Sequence, residues 1–404
     1  MKVVLKKKNI NIFCYLFALV LCLDCCSIWT AMPSISWFDN FLIIMLTISV
    51  LGCLLTSKIY KNNFLKITFF IFFVVLYSLL YIVINPINIS LLIKVILKCL
   101  IVTTFFLLIN NENMVLKVLF SYEKIILFIC IVSLFFYLFG SILGYIRSTG
   151  FIYTSWTNST EFKKVPTYYN IYYETQYLEF VFFRIPKNSA IFTEAPMCSL
   201  HFSIALLIEL FLKKEYKISK CIILAVGIIS TFSSTGLILL VLALTIKYIL
   251  ISPKMKIFKL IKIITIPIII VIAILASEYI LMDKLSSLSG STRLDDFRAG
   301  WKAWSNSLLF GNGYNASLVK YMSSFRLNNT GFSNSPMLIL AYGGIYMLSP
   351  YIYCIIFGFW NNLKQKKYFY VCFVAFFVYL FTATVVPYQA LTMYILAFFL
   401  VSGQ

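Results

Sequence analysis

The five arginines of this 404-residue chain, Arg147, Arg184, Arg293, Arg298 and Arg326, all lie in two polar segments, roughly 147–190 and 283–335, while most of the lysines lie elsewhere. A guanidinium offers a planar fork of donors that grips phosphate or carboxylate bidentately, whereas an ammonium acts as a point charge. The arginines therefore suggest an anionic ligand at these segments. Pairing with Glu161, Glu174, Glu179, Asp283, Asp295 and Asp296 is the bland alternative for each of them.

In the first segment Tyr153, Tyr168, Tyr169, Tyr172, Tyr173 and Tyr177 cluster with Trp156, Asn158, Asn170 and Gln176. Aromatic faces with amide and hydroxyl partners suit sugar rings, and aromatic belts at membrane interfaces share that composition. The segment closes on Arg184, Pro186 and Lys187, and then Glu194 and Pro196 stand where an apolar run begins. A carboxylate at such a mouth, close to a lysine and an arginine, is an ion-paired helix cap or a group held ready to take a proton. Physical chemistry alone favours the cap. His201, the one histidine of the chain, lies about two turns deeper, where a hydrogen bond within a helix bundle is its ordinary role.

The second segment predicts an amphipathic helix, because Leu294, Phe297, Trp301, Trp304 and Leu308 recur at intervals of three and four. Thr292 with Asp295 resembles a capping-box start, and Gly311, Asn312 and Gly313 a stop. Such a helix would lie along a headgroup plane with its tryptophans down, and its amino end with Arg293 would form an anion site. Asp295, Arg298 and Lys302 share a flank, so pairing among them is the alternative.

The elements that must position these residues follow from composition. A chain that is 61% hydrophobic and 12% charged has more apolar surface than a soluble core can bury, so lipid is the expected solvent. Apolar runs rather than alternation select helices over a barrel. About 11–12 transmembrane helices are predicted, near 10–31, 37–56, 65–85, 89–109, 125–146, 191–212, 221–234, 236–252, 262–282, 336–360, 368–386 and 388–402. The expected fold is an all-α polytopic membrane protein. It comprises a five-span bundle (1–146), a first outer segment (147–190), further spans (191–282), a second outer segment (283–335) and terminal spans (336–404).

Lysine clusters at Lys2, Lys6, Lys7 and Lys8, at Lys58, Lys61 and Lys66, at Lys117 and Lys124, and at Lys364, Lys366 and Lys367 place both termini in the cytoplasm. Clusters at Lys213–Lys220 and Lys254–Lys262 flank 221–252, which predicts a hairpin with Ser233, Ser234, Thr235 and Gly236 at its tip. The net charge of +20 is largely this cytoplasmic set, suited to anionic headgroups, and is no evidence for nucleic acid. None of the eleven cysteines lies in the two polar segments, so no disulfide is expected there, and no Cys/His spacing points to a metal. The first apolar run lacks a small-residue cleavage site and is expected to stay as an anchor. Within the spans, Asp24, Lys94 and Lys98 are costly enough to need a reason, whether a lipid pyrophosphate, snorkelling or an Asp24 pair.

The order Arg184 to Pro196, Ser234 to Gly236, Arg293 to Trp304, Phe310 to Gly313, then Asn334, Ser335, Pro336 with Gly343 and Gly344, resembles the O-antigen polymerase (Wzy-type) and O-antigen ligase superfamily of bacterial membrane glycosyltransferases. The resemblance implies transfer of an undecaprenyl-pyrophosphate-linked glycan onto a lipid-linked acceptor at the outer face of the inner membrane. No metal, cofactor or nucleotide sugar is implied, and a chain-length regulator is an allowed partner. It makes Arg184 and Arg293 the catalytic cations and Glu194 the orienting or basic carboxylate. Arg298, Lys187, Tyr172, Tyr173, Trp301 and Asn334 become substrate-binding residues. Ligases carry a histidine just before the span that here begins Ser333, Asn334, Ser335, Pro336; its absence favours the polymerase branch and leaves Asp295 and Asp296 as alternative bases. A ligase, or a flippase for lipid-linked oligosaccharide, is the alternative function.

Overall fold

The computed structural model describes the chain except for residues 1–6, 57–60, 109–111, 156–161, 180–183, 252–255, 287, 327–328 and 403–404. Lys2, Lys6, Lys58, Trp156, Asn158, Glu161 and Lys254 therefore lie outside the described residues. The described chain is mostly helical, as expected of a helical membrane protein. Five of its helices are long and apolar enough to cross a membrane: Ile89–Leu107, Met114–Ile142, Ala195–Leu212, Ile264–Met282 and Ser335–Lys364. Shorter apolar helices accompany them, including Ile218–Ser230 and Ser234–Leu250, and Ser234, Thr235 and Gly236, expected at a tip, form the first turn of the latter.

The chain divides into two compact units. Unit 1 comprises Met1–Ile125, Ile152–Lys164 and Asp295–Gln404, and unit 2 comprises Ile126–Phe151 and Val165–Leu294. Unit 1 packs α1 (Lys7–Asp24), α2 (Phe38–Thr56), α3 (Lys61–Ile84) and α4 (Ile89–Leu108) with α11 (Ser335–Lys364), α12 (Tyr368–Ala383) and α13 (Ala390–Val401). Unit 2 packs α6 (Ala195–Leu207) against α7 (Ile218–Ser230) and α8 (Ser234–Leu250), with α9 (Lys256–Ser286) beside α8. Two helices run across the division of the sequence, α5 (Glu112–Phe136) and α10 (Leu288–Ser305). Because α5 begins at Glu112, Lys117 and Lys124 sit on a helix rather than in the expected loop before residue 125.

The first polar segment, expected as a loop, carries five short strands: β1 (Gly150–Thr154), β2 (Lys163–Tyr168), β3 (Tyr172–Tyr173), β4 (Tyr177–Glu179) and β5 (Arg184–Pro186). Tyrosine and threonine favour a pleated, half-buried surface. In β2 and β3, Thr167 pairs with Tyr173 and Tyr168 with Tyr172, and the intervening Tyr169 and Asn170 both adopt positive φ, as a tight hairpin turn of this twist requires. Strands β4 and β5 pair antiparallel, with Glu179 opposite Arg184.

In unit 1 one carboxylate joins three helices. Asp24 Oδ1 meets Lys98 Nζ of α4 at 2.5 Å, and Asp24 Oδ2 accepts from the Ala390 N–H at the start of α13, 2.7 Å away. Of the alternatives for Lys98, the Asp24 pair is the one found. A buried charge is tolerable because it is both paired and hydrogen-bonded.

Helix α11 is broken at Gly344, whose φ of 59° and ψ of −159° lie in a region essentially reserved for glycine. The opened backbone is re-satisfied by the 308–313 stretch: Ile345 N–H donates to Leu308 O and Tyr346 N–H to Leu309 O, while Asn312 and Gly313 donate to Ala341 O and Tyr342 O. One stripe of α3 and the residue after it complete the set, with the Tyr77 hydroxyl on Tyr346 O, the Tyr81 hydroxyl on Tyr342 O and the Asn85 amide on Phe310 O. A Cβ on Gly344 would stand 2.4 Å from Leu309 O. Gly344→Ala is therefore expected to cost about 3 kcal/mol. Thermal unfolding in detergent would show it, and an unchanged apparent Tm would contradict the break.

Candidate functional site

In unit 2 the strand-to-helix junction between β5 and α6 carries three of the residues expected to act, Arg184, Lys187 and Glu194. Arg184, at the first position of β5, is exposed, and its guanidinium carbon lies 4.7 Å from the centre of the Tyr177 ring on the paired strand. Such a cation–π contact contributes about 0.5–1 kcal/mol at an exposed site and fixes the plane of the fork. No carboxylate forms an ion pair with Arg184 among the described residues.

The Tyr177 hydroxyl in turn donates to Glu174 Oε2 at 2.8 Å. Glu174 also accepts from the Tyr168 hydroxyl at 2.7 Å and from Ser141 Oγ at 2.5 Å. Burial, and then the hydrogen bonds to this carboxylate, push the Tyr168 and Tyr177 phenols above their ordinary range, with Arg184 pulling Tyr177 slightly back. Each tyrosine is thus held as a neutral donor, and the carboxylate as an acceptor. Glu174, one of six acids in the alternative of arginine pairing, organises hydroxyls.

Glu194 occupies the N-cap position of α6, yet its side chain makes no capping hydrogen bond. Gln176 does that work: its Oε1 accepts from the Ala195 N–H at 3.2 Å, its Nε2 donates to Glu194 Oε2 at 3.3 Å, and its backbone carbonyl accepts from the Lys187 N–H at 2.9 Å. The favoured cap for Glu194 is therefore overturned, because a neighbouring amide satisfies the helix start and turns the carboxylate aside. Burial lowers the proton affinity of Lys187, partly offset by the nearby Glu194 charge. A lysine and a carboxylate so placed can exchange a proton with a ligand hydroxyl or hold an anionic group.

Other expected contacts are not available to a ligand. Tyr172 and Tyr173 are buried: the Tyr172 hydroxyl lies 3.2 Å from Ser141 Oγ, and the Tyr173 hydroxyl donates to Asn170 O at 2.9 Å. They form the interior of the loop rather than a sugar platform, since a hairpin this small buries its own aromatic rings. His201 is fully buried with its ring stacked on Phe192 at 4.0 Å. Gly236 leaves room for Ser199, whose Oγ would lie 1.9 Å from an added Cβ.

The second polar segment also departs from expectation. Helix α10 begins at Leu288, a turn before Thr292, so Arg293 is not in its first turn and the expected anion site at a free helix start does not form. In unit 1, the exposed side of α10 carries Phe297, Arg298, Trp301 and Lys302, while Asp295, Asp296, Ala299, Gly300 and Ala303 face inward. Trp301 and Trp304 meet edge to face at 4.9 Å. The buried acids are committed. Asp296 accepts from Arg326 Nη1 at 2.6 Å and from the Ser333 N–H at 2.9 Å, and Asp295 accepts from the Ser323 N–H at 3.0 Å. Arg326, only 3% exposed, also donates to Asn329 O at 2.7 Å and Gly331 O at 2.6 Å.

Arg326 thus follows the bland alternative, and Asp295 and Asp296 fall away as bases because burial and hydrogen bonding occupy both carboxylates. Asn334 caps α11, its Oδ1 accepting from the Met337 N–H at 3.0 Å, so its side chain is engaged by the helix start. Gln176 and Ser141 are the organising residues that residue types alone understated; the signal for Gln176 was its position one residue before a strand. Compared with protein-family models, with curated proteins and with solved structures, the chain matches none.

Proposed function

We propose that the chain polymerises polyprenyl-pyrophosphate-linked oligosaccharide repeats by glycosyl transfer at the outer face of a bacterial inner membrane, with both termini cytoplasmic. The observation that carries this reading is Arg184: an exposed guanidinium, braced by an aromatic face and left without an ion pair among the described residues. A fork so preorganised suits a diphosphate leaving group, whose charge grows as the bond to the anomeric carbon breaks. The acceptor hydroxyl oxygen forms the new bond to that carbon and its proton passes to Glu194, which the Gln176 amide orients. Lys187 stands beside Glu194 as a sugar or phosphate ligand. Arg293 on α10, although not at a free helix start, keeps its assignment to pyrophosphate through the family resemblance alone.

Deleting the gene in its host and separating the lipopolysaccharide or capsule by length tests the reading. A collapse to core plus a single repeat is expected, because export and attachment of single units continue. Full-length chains, or a loss of all repeats with lipid-linked units trapped inside, would overturn it.

A further inference from the structure

Unit 1 contains an open pocket of about 340 Å³ at the connection between α1 and α2, lined by Thr30, Ser36, Phe38, Asp39, Ser155 and Phe162 among others. Its floor is two short 3-10 turns, Ile28–Ala31 and Pro33–Ile35. The far wall is tied to that floor: the Ser155 N–H and Oγ both donate to Ala31 O, at 3.1 and 3.3 Å. The aromatic wall is braced too, with the Phe38 ring 6.3 Å from Trp29 and stacked on Phe41 at 6.1 Å. The shape is thus built by backbone and packing contacts, and its size falls at the small end of ligand sites, about 300–1,000 Å³.

The chemistry of the lining is selective. The chain carries a net charge of +20, yet among the described residues no lysine or arginine lines this pocket, and the one charged side chain among them is the carboxylate of Asp39. The Asp39 carboxylate therefore disfavours phosphate and pyrophosphate here. Two of the three hydroxyls are acceptors here: Thr30 Oγ1 already donates to Ser27 O at 2.7 Å, and Ser155 Oγ to Ala31 O, so both offer lone pairs to a ligand. A cavity of acceptors against aromatic faces wants a ligand with many O–H donors and apolar C–H faces.

We propose that this pocket binds uncharged sugar of the glycan, with Asp39 accepting two neighbouring ring hydroxyls and Phe38 and Phe162 packing against the ring. The inference rests on the polymerase reading for placing the pocket at the outer face and for the glycan, whereas its recognition chemistry stands on the pocket alone.

Saturation-transfer NMR on the full chain in lipid nanodiscs tests it. The probes are methyl glycosides of glucose, galactose and their N-acetylamino analogues, together with fragments of the host's own surface polysaccharide. At least one probe should receive saturation and be displaced by excess of itself. Asp39→Asn should weaken that binding by about 10-fold or more, since a hydrogen bond to a charged acceptor is lost. Phe162→Ala, at a side chain 60% exposed and so without folding cost, should weaken it several-fold. No binding by any probe, equal binding by both variants, or displacement by tetramethylammonium but not by sugar would overturn the proposal. None of these outcomes depends on chain polymerisation, so failure here leaves the gene-deletion result to decide the polymerase reading separately.

Discussion

Arg326→Ala is expected to destabilise the protein by about 3–5 kcal/mol, the cost of leaving a buried charge without its partner. Arg326 donates to Asp296, Asn329 O and Gly331 O while almost wholly buried, and Asp295 lies 3.6 Å from the same Nη1. The substitution strands Asp296, which has no exposed surface, and orphans two carbonyls at once. Burial already raises the Asp296 pKa, against the lowering effect of Ser333 and Arg326. A group with a raised folded pKa favours the fold when protonated, and that contribution is lost as pH rises through the folded value. Without Arg326 the carboxyl is held still higher, so the gap between variant and parent should narrow in acid and widen towards neutral pH. Apparent Tm in detergent at a series of pH values reads this directly; a gap independent of pH would mean that lost packing, not the stranded carboxylate, dominates. Arg326→Met, which restores volume without charge, should recover part of the packing and none of the pH dependence.

The mostly helical chain, with several helices long and apolar enough to cross a membrane, was legible because it follows from apolar run length. The glycines of 311, 313, 343 and 344 stood out in the sequence, but their joint purpose did not. Gly311 and Gly344 are one feature: a Cβ on Gly311 would lie 2.5 Å from Gly343 N, and a Cβ on Gly344 2.4 Å from Leu309 O. Close backbone approach between stretches 30 residues apart leaves no periodic trace. Likewise Asp24 was visibly costly within a span, and Lys98 was one of several partners, since sequence gives depth but not azimuth.

The polar segments were least legible. Strands of two or three residues, such as β3 and β5, are too short for alternation to show. The aromatic-rich stretch was open to a sugar-binding reading, when burial makes Tyr172 and Tyr173 structural. The five arginines looked alike, yet geometry divides them: Arg326 is an internal strut and Arg184 an exposed fork. Which carboxylate an arginine meets depends on where a loop returns, as when Ser323 to Ser333 folds back onto Asp295 and Asp296.

That division gives Arg184→Lys the largest expected functional effect. Lysine keeps the charge and loses both the planar fork and the stack on Tyr177. If Arg184 stabilises the departing diphosphate, the rate of chain extension should fall by about 100-fold or more, the scale seen when one preorganised donor to a developing charge is removed. In a complemented deletion strain, long chains should vanish while the amount of inserted protein is unchanged, because Arg184 is exposed and contributes little to folding. Arg147→Lys is the matched control, an exposed arginine at the start of the same segment, and should keep chain length near normal. Tyr177→Phe retains the ring under the guanidinium but removes the hydroxyl that donates to Glu174, so it should reduce chain length only in part. Tyr177→Leu removes the ring and should approach the Arg184→Lys result. Normal chain length in Arg184→Lys would sink the assignment of this guanidinium to the diphosphate. A loss shared equally by Arg147→Lys would instead mean that the segment needs positive charge in general, with no special use for the fork at Arg184.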